Sequence, residues 1–384
     1  SIDMTKFNRI LAFDSENGII KVEAGLPIGD LIRFIVQRGW YFKVVPGYPS
    51  ITIGGCVAFN VHGKSQFNIG IFGDHIKELT LYHPDHGEII CNSTLNKDVF
   101  ELTIGGFGLT GVILDVTLVL SPLKGNAIIR NRIKCKDLTD AVEKMNSLKN
   151  ENDNVYSWNN LNDSGKHFGK GIIYLENFST GISIPNYDFK FKHNLAGNRK
   201  KSVVNFINKS TAEFICFYYY NKELFSCAPS VLSIVEGTFP IYGKEIYYYL
   251  FGKKGFREYQ LIIHQHVADE FFSNLQKLIK KYRIPVTLGS LKLFQGENRY
   301  LNFSNDGVCL AIDVPAMTRS ENFFSEIDDL TIRFNGKANL SKDSRLSAKT
   351  IGSMYDQYGE FKGEILKYDP QKLFTSSLRQ RMEV

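Results

Sequence analysis

The chain lacks any apolar run approaching the roughly 20 residues that a membrane-spanning helix needs. It also lacks a charged-then-apolar leader of the secretory kind at its start. Its six cysteines, at 56, 91, 135, 216, 227 and 309, contain no CxxC pair. That excludes a clustered zinc site and a disulfide framework, and no metal is expected. Free thiols in a reducing compartment follow, and with them a cytoplasmic location. Charge of one sign is scarce: 46 Lys and Arg face 40 Asp and Glu, a net +6. No nucleic-acid motif accompanies that excess, so nucleic acid is not an expected partner. There is no internal repeat and no low-complexity segment.

What is present suits a globular protein of two domains: 384 residues, 43% hydrophobic and 22% charged. Part of the basic excess is clustered, in residues 190–201 (KFKHNLAGNRKK) and at Lys253, Lys254 and Arg257. Such clusters fit an anionic membrane surface or a phosphorylated substrate, or else solvated loops.

The first 120 residues read as α/β with many strands. Residues 18–25 (GIIKVEAG) alternate like a strand, and 27–39 carry helical spacing at Ile28, Leu31, Ile32 and Ile35 before a glycine stop. Residues 78–83 and 87–91 read as strands around the turn 84–87, and 110–120 (TGVILDVTLVL) as a β-branched strand. Near Ser121 and Pro122 the character changes. Residues 124–330 read as long aromatic-rich strands with two helices, at 137–148 and 269–282. A polar, motif-like tail follows. The expected division is 1–123, 124–330 and 331–384.

Residues 46–64, PGYPSITIGGCVAFNVHGK, are the most informative stretch. The pair Gly54-Gly55 permits close approach of another group, and amides left bare there would receive a pyrophosphate. Thr52 supplies a hydroxyl for a phosphate or ribitol oxygen. His62, Gly63 and Lys64 add donors of adjustable charge. A flat, phosphorylated cofactor lying against main chain needs that combination. Residues 106–111, GFGLTG, satisfy GxGxxG, but a dinucleotide-binding turn must open a helix. The β-branched residues that follow predict a strand instead.

These pieces, with GIFGDHI, TIGGFGLTGVI, NLSKDS and YDPQKLF in that order, resemble the vanillyl-alcohol-oxidase-type (PCMH-type) FAD-linked oxidoreductases. The resemblance is greatest to the branch that oxidises a lipid-linked sugar. It implies an α+β fold: a split FAD-binding domain, an inserted cap with a β-rich antiparallel sheet, and a C-terminal segment completing the site. It places Pro46, Gly47, Tyr48, Thr52, Gly54, Gly55, Ala58, Phe59, Val61, His62, Gly63, Gly108, Thr110, Gly111, Val112 and Asn339 against FAD. Lys342 and His62 become the catalytic pair. Lys342 would handle the substrate hydroxyl, and burial would let it take the proton. Lys64, Phe251, Glu258, Gln260, Lys292 and Ala311 fall at substrate-contacting positions. At several of these the residue type departs from the family pattern, Ala311, Phe251, Asn339 and Glu258 among them.

The family's upstream phosphate-binding loop would precede Ser1, and with that region absent from this stretch FAD is expected to be non-covalent. The implied reaction moves hydride to flavin N5 from a secondary hydroxyl of a lipid-linked or free sugar. The resemblance favours the 2-hydroxyl of a polyprenyl-phosphate-linked pentose, as the first half of an epimerisation in cell-wall polysaccharide synthesis. A short-chain reductase partner would finish it. The aromatic runs 214–220 and 246–251 would be core or face a lipid at the inner membrane surface. Two alternatives stand beside this: a soluble aldonolactone or alditol oxidase using oxygen, and a flavin-free scaffold.

Overall fold

The computed structural model describes residues 2–162, 165, 167–182, 204–225, 228–297 and 299–384. The basic stretch 190–201 and Cys227 lie outside them.

In chain order, the first unit comprises β1 (Ile10–Asp14), β2 (Ile19–Glu23), α1 (Ile28–Val36), β3 (Trp40–Tyr41), α2 (Ile53–Ala58), α3 (Gln66–Ile69), β4 (Ile76–His83), β5 (Gly87–Asn92), α4 (Lys97–Thr103), β6 (Val112–Val119) and β7 (Ser121–Pro122). Five of its strands form a sheet in the order β1-β2-β6-β4-β5, with every pairing antiparallel. The expected strands and the helix at 27–39 all form. The Ile28, Leu31, Ile32 and Ile35 stripe is fully buried on α1, where it joins Ile20, Val22, Val116 and Leu118 in one core.

The second unit contains β8 (Ala127–Cys135), α5 (Leu138–Leu148), β9 (Asn154–Asn159), β10 (Gly171–Ser179), α6 (Lys209–Phe225), β11 (Ser230–Leu232), α7 (Ile234–Thr238), α8 (Ile246–Tyr249), β12 (Phe256–Ile263), α9 (Ala268–Tyr282), β13 (Leu288–Phe294), β14 (Gly307–Pro315) and α10 (Thr318–Arg333). The tail adds β15 (Lys337–Ala338), α11 (Ala348–Met354), α12 (Tyr358–Tyr368) and α13 (Ser377–Met382). An eight-stranded antiparallel sheet runs β11-β8-β10-β9-β13-β14-β12-β15. The fold is α+β, as expected.

The two helices read from the sequence are α5, capped by the Asp137 carboxylate on the Asp140 amide, and α9. Two further facts depart from that reading. The aromatic runs are helical, not strands: 214–220 lies within α6 and 246–249 is α8. Residues 318–333 add another long helix, α10.

The sheet has two unlike faces because strand side chains alternate. Leu261, Ile263, Leu291, Leu310 and Ile312 lie in one core with α5, α9 and α10. Ile351, Tyr355, Phe361 and Met382 of the tail share that core, as does Leu109 of the first unit. A buried Asp369–Arg379 pair at 2.6 Å pins the tail's YDPQKLF segment, and His86 Nε2 donates to the Tyr368 carbonyl at 2.9 Å from the β4–β5 turn. The opposite face carries polar groups among apolar residues such as Trp158, Ile172, Ile262 and Phe294, and its polar part forms one wall of the site.

Candidate active site

The first wall comes from the glycine-rich stretches of the first unit. Thr52 caps α2 by accepting from the Gly55 amide at 3.2 Å. The Ile53 and Gly54 amides donate to the carbonyls of Leu26 and Ala24 at 2.9 and 2.7 Å. These three amides are therefore not bare, contrary to the expectation for a pyrophosphate cradle. The Ile53 and Gly54 amides stitch α2 to the loop after β2 instead. A Cβ on Gly54 would come within 3.0 Å of Ala24 Cβ, so this glycine serves close packing.

The two cofactor-matching stretches do meet. Gly105 and Phe107 amides donate to the Val57 and Ala58 carbonyls at 2.9 and 2.8 Å, and the Phe59 and Phe107 rings pack edge to face. After residues 104–111 the chain enters the strand β6, not a helix, as predicted. Gly108 has φ +72° and Gly111 φ +139°, and a Cβ on Gly111 would strike the Tyr82 carbonyl at 2.6 Å. Val112 enters the sheet opposite Tyr82. Thr110 is buried with its hydroxyl on Thr103 at 2.9 Å, so only its main chain is available to a ligand.

Gly47 and Gly108 have nothing within 4 Å of where a Cβ would stand. Ile51, four residues after Gly47, and Phe59, packed on the Phe107 ring next to Gly108, leave apolar surface exposed, while Pro46 is buried. Open main chain flanked by exposed apolar side chains fits a flat ring system with a phosphorylated tail. The Tyr48 hydroxyl instead donates to Glu245 of the second unit at 2.8 Å, tying the two units together.

His62 links the walls. Val61 accepts from the Phe72 amide, and His62 bridges to Ile71, which fixes the backbone here. The His62 Nδ1–H donates to the Gly63 carbonyl at 3.0 Å, leaving Nε2 as acceptor for the Gln260 amide at 3.1 Å. Burial foremost, and then the Lys292 charge, push the imidazole pKa down to about 3, so His62 is neutral.

Gln260 is a hub. Its Oε1 accepts from Asn339 at 2.6 Å, and its Nε2 also approaches Cys309 Sγ at 3.4 Å. Register explains the grouping. Glu258 pairs Asp313, Gln260 pairs Ala311, and Lys292 pairs Cys309, so these residues share one sheet face. Lys292 is driven below its ordinary pKa by burial, although Cys309 and Glu258 oppose that shift.

Lys342 follows Asn339 at the margin of the same face, 3.3 Å from Glu258. Its side chain is 44% exposed, so the burial that would have suited it to take a proton is found at Lys292 instead. Asp343, its chain neighbour, pairs with Arg345 and Arg381.

Lys64 lies on the same face as Lys292 but is engaged by a carboxylate, and Phe251 is buried in a small core. Lys64 Nζ sits 3.1 Å from the Glu176 carboxylate and also donates to the Gly237 carbonyl. Glu176, itself fully buried, also holds Arg130 at 2.6 Å and accepts from Tyr156 at 2.9 Å. Phe251 is fully buried with Ile207, Ala212 and Phe256, away from any surface. Ala311 leaves a small residue between Gln260 and Ser290 on the site face.

Sequence reasoning missed Asp313 and Tyr247. Asp313 is 3% exposed, and its Oδ1 has no hydrogen-bond partner among the described residues. Tyr247 of α8 donates to its Oδ2 at 2.8 Å and meets Thr287 at 2.7 Å. Burial and then the Glu258 charge raise Asp313 to about 8. Alternation from Cys309 through Ala311 was the signal that could have found it.

Fold and site define an FAD-dependent oxidoreductase whose cofactor wall and substrate wall come from different units. A profile of the FAD binding domain matches residues 1–91. The chain is similar over its full length to decaprenylphosphoryl-beta-D-ribose oxidase of Mycolicibacterium smegmatis, at 25% identity and covering 85% of that protein. L-gulonolactone oxidase of Mus musculus is 32% identical over 32% of this chain and 27% of its own. D-lactate dehydrogenase of Anaerostipes hadrus is 31% identical over 37% of this chain and 30% of its own. The chain is similar to the PCMH-type FAD-linked oxidoreductases, and FAD is its cofactor. The flavin-free alternative drops out. Among the described residues no helix is long and apolar enough to cross a membrane.

Proposed function

We propose that the protein oxidises a secondary hydroxyl of a sugar, the 2-hydroxyl of a polyprenyl-phosphate-linked pentose, to a ketone. The observation that carries this is the meeting of His62, from the cofactor wall, with Gln260, Lys292, Asn339 and Lys342 on the polar sheet face. Similarity over the whole chain to an oxidase of decaprenylphosphoryl-ribose supports the substrate class. FAD, when bound, supplies the two-electron acceptor for the carbon-bound hydrogen.

The side chains then divide the remaining work. Lys342, paired with Glu258 at 3.3 Å, holds the hydroxyl oxygen by an ammonium donor. Lys292 disfavours its own proton through burial, so it is the group suited to accept the hydroxyl proton. Neutral His62 orients substrate through Gln260 rather than by charge. To complete an epimerisation the keto sugar must be reduced again, a step for a partner such as a short-chain reductase.

The test uses the full-length protein loaded with FAD, a polyprenylphosphoryl pentose and an artificial electron acceptor. A product lighter by two hydrogens supports the reading. Turnover of gulonolactone with rapid reoxidation by oxygen, and none of the lipid-linked sugar, replaces it with the soluble aldonolactone oxidase.

A further inference from the structure

Helix α6 is inverted with respect to an ordinary surface helix. Its inner face packs Ala212 and Cys216 inward, with Tyr219 and Leu224 partly buried against Trp158, Ile172 and Tyr174. Its outer face carries Phe214, Phe217, Tyr218 and Phe225, which are 60–89% exposed. Their spacing of three, one and seven residues places them on a single stripe of a 3.6-residue helix. Ile246, 74% exposed, and Tyr249, 47% exposed, add exposed apolar surface on α8, whose Tyr247 packs with the inner face of α6.

Aromatic side chains of this size each present on the order of 100 Å² or more, so the stripe exceeds the few hundred Å² that monomers usually leave open. Scattered exposed residues need no partner, but a stripe along one helix does.

Charge selects the partner. Lys209 opens α6 and Lys222 lies in its last turn. Lys253 and Lys254 stand exposed just after α8. The one acid on the outer face, Glu213, is offset by Lys209 at 3.7 Å. A second copy docked symmetrically would set these lysines against themselves. Anionic headgroups would complement them, while phenylalanines enter the acyl boundary and Tyr218 rests at headgroup level.

Position adds a second argument. Ile246 points to solvent, yet the next residue, Tyr247, donates to the buried Asp313 on the site face. The apolar surface is thus the outer side of the lobe whose inner side walls the site.

We propose that the outer face of α6, with the exposed edge of α8, docks on the surface of an anionic phospholipid bilayer. This goes beyond the sugar reading and stands without it, because docking requires only the stripe and its lysines.

The test is sedimentation of the full-length FAD-loaded protein with phosphatidylcholine vesicles, with and without phosphatidylglycerol. Wild type is expected to pellet with the anionic vesicles, and to be released by salt. The triple variant Phe214→Ser, Phe217→Ser, Phe225→Ser is expected to lose about tenfold or more of that partitioning. These side chains are exposed, so flavin absorbance and thermal midpoint report that the variant is folded. Lys209→Glu with Lys222→Glu is expected to weaken binding to anionic vesicles while leaving any binding to phosphatidylcholine alone. Wild type remaining in the supernatant with both vesicle types overturns the proposal. So does vesicle binding that the triple variant leaves intact. A dimer in sedimentation velocity that the triple variant dissolves, with no vesicle binding, assigns the face to a second copy instead.

Discussion

The two faces of the eight-stranded sheet are built from the same strands in opposite idioms. One face is a continuous apolar core under α5, α9 and α10, in which Leu261, Leu291 and Leu310 are all 0% exposed. The other keeps Glu176, Gln260 and Asp313 nearly as dry, yet every strand that crosses it contributes polar groups. Burial alone therefore does not distinguish scaffold from site. The apolar face rests on non-directional packing that tolerates neighbours of similar volume. The polar face depends on each charge and amide finding its partner, so single losses there should be more specific.

The largest effect is expected at Glu176, where one carboxylate neutralises both Lys64 and Arg130. Glu176→Gln would leave two buried cations uncompensated and destabilise by about 3–5 kcal/mol, read from chemical denaturation. Burial pushes the carboxyl up, but Lys64 and Arg130 pull it further down, to below its ordinary value. Its contribution is present above the unfolded-state pKa and fades as pH falls through the depressed folded value. The Gln variant should lack that acid limb. A wild-type-like midpoint would mean that the cluster is not a structural keystone of the polar face.

On the apolar face, Leu310→Ala should cost about 2–5 kcal/mol through the cavity it leaves. Because Leu310 faces away from the site, turnover per folded molecule should stay at the wild-type level. A matching fall in kcat would erase the division between the faces.

A site residue should show the reverse pattern. Lys292→Met keeps volume and removes the buried amine, so kcat should fall by about a hundredfold, or roughly 2.7 kcal/mol of barrier. Stability should hold or rise, since a buried ammonium disfavoured by desolvation is gone. Lys342→Met offers the contrast: if Lys342 rather than Lys292 accepts the proton, the larger kcat loss moves to that variant.

How far the sequence carried depends on which idiom wrote it. Apolar periodicity placed α1, α5 and α9, because burial of one stripe selects the period. It failed at α6, where aromatics occupy both the buried and the exposed face and mimic a strand. Gly54 was legible as a close-approach residue, but what approaches is Ala24. Gln260, Lys292 and Asn339 were legible through family motifs, and the structure adds the register that gathers them. Asp313 stayed hidden because a lone acid in a strand reads as solvent-facing until the partner strands are known. Tyr247 stayed hidden for the same reason: only the tertiary fold turns one residue of an aromatic run inward while its neighbour Ile246 faces water.

The smallest effect tests that pair. Tyr247→Phe removes the hydroxyl that Asp313 accepts from and should cost about 1 kcal/mol near neutral pH. Asp313 is raised from 3.8 to about 8, so the folded state keeps a proton that the unfolded chain has already released. Stability therefore falls as pH rises from the ordinary carboxylate range to about 8, and levels above it. The Tyr247 hydroxyl opposes this by favouring the ionised form, so losing it moves the folded pKa higher still. The gap between variant and wild type should consequently widen as pH passes through that value. Denaturation well below and well above it reads the widening directly. A gap that stays constant would mean that Asp313 does not titrate there, and that the polar face holds this carboxyl in one charge state throughout.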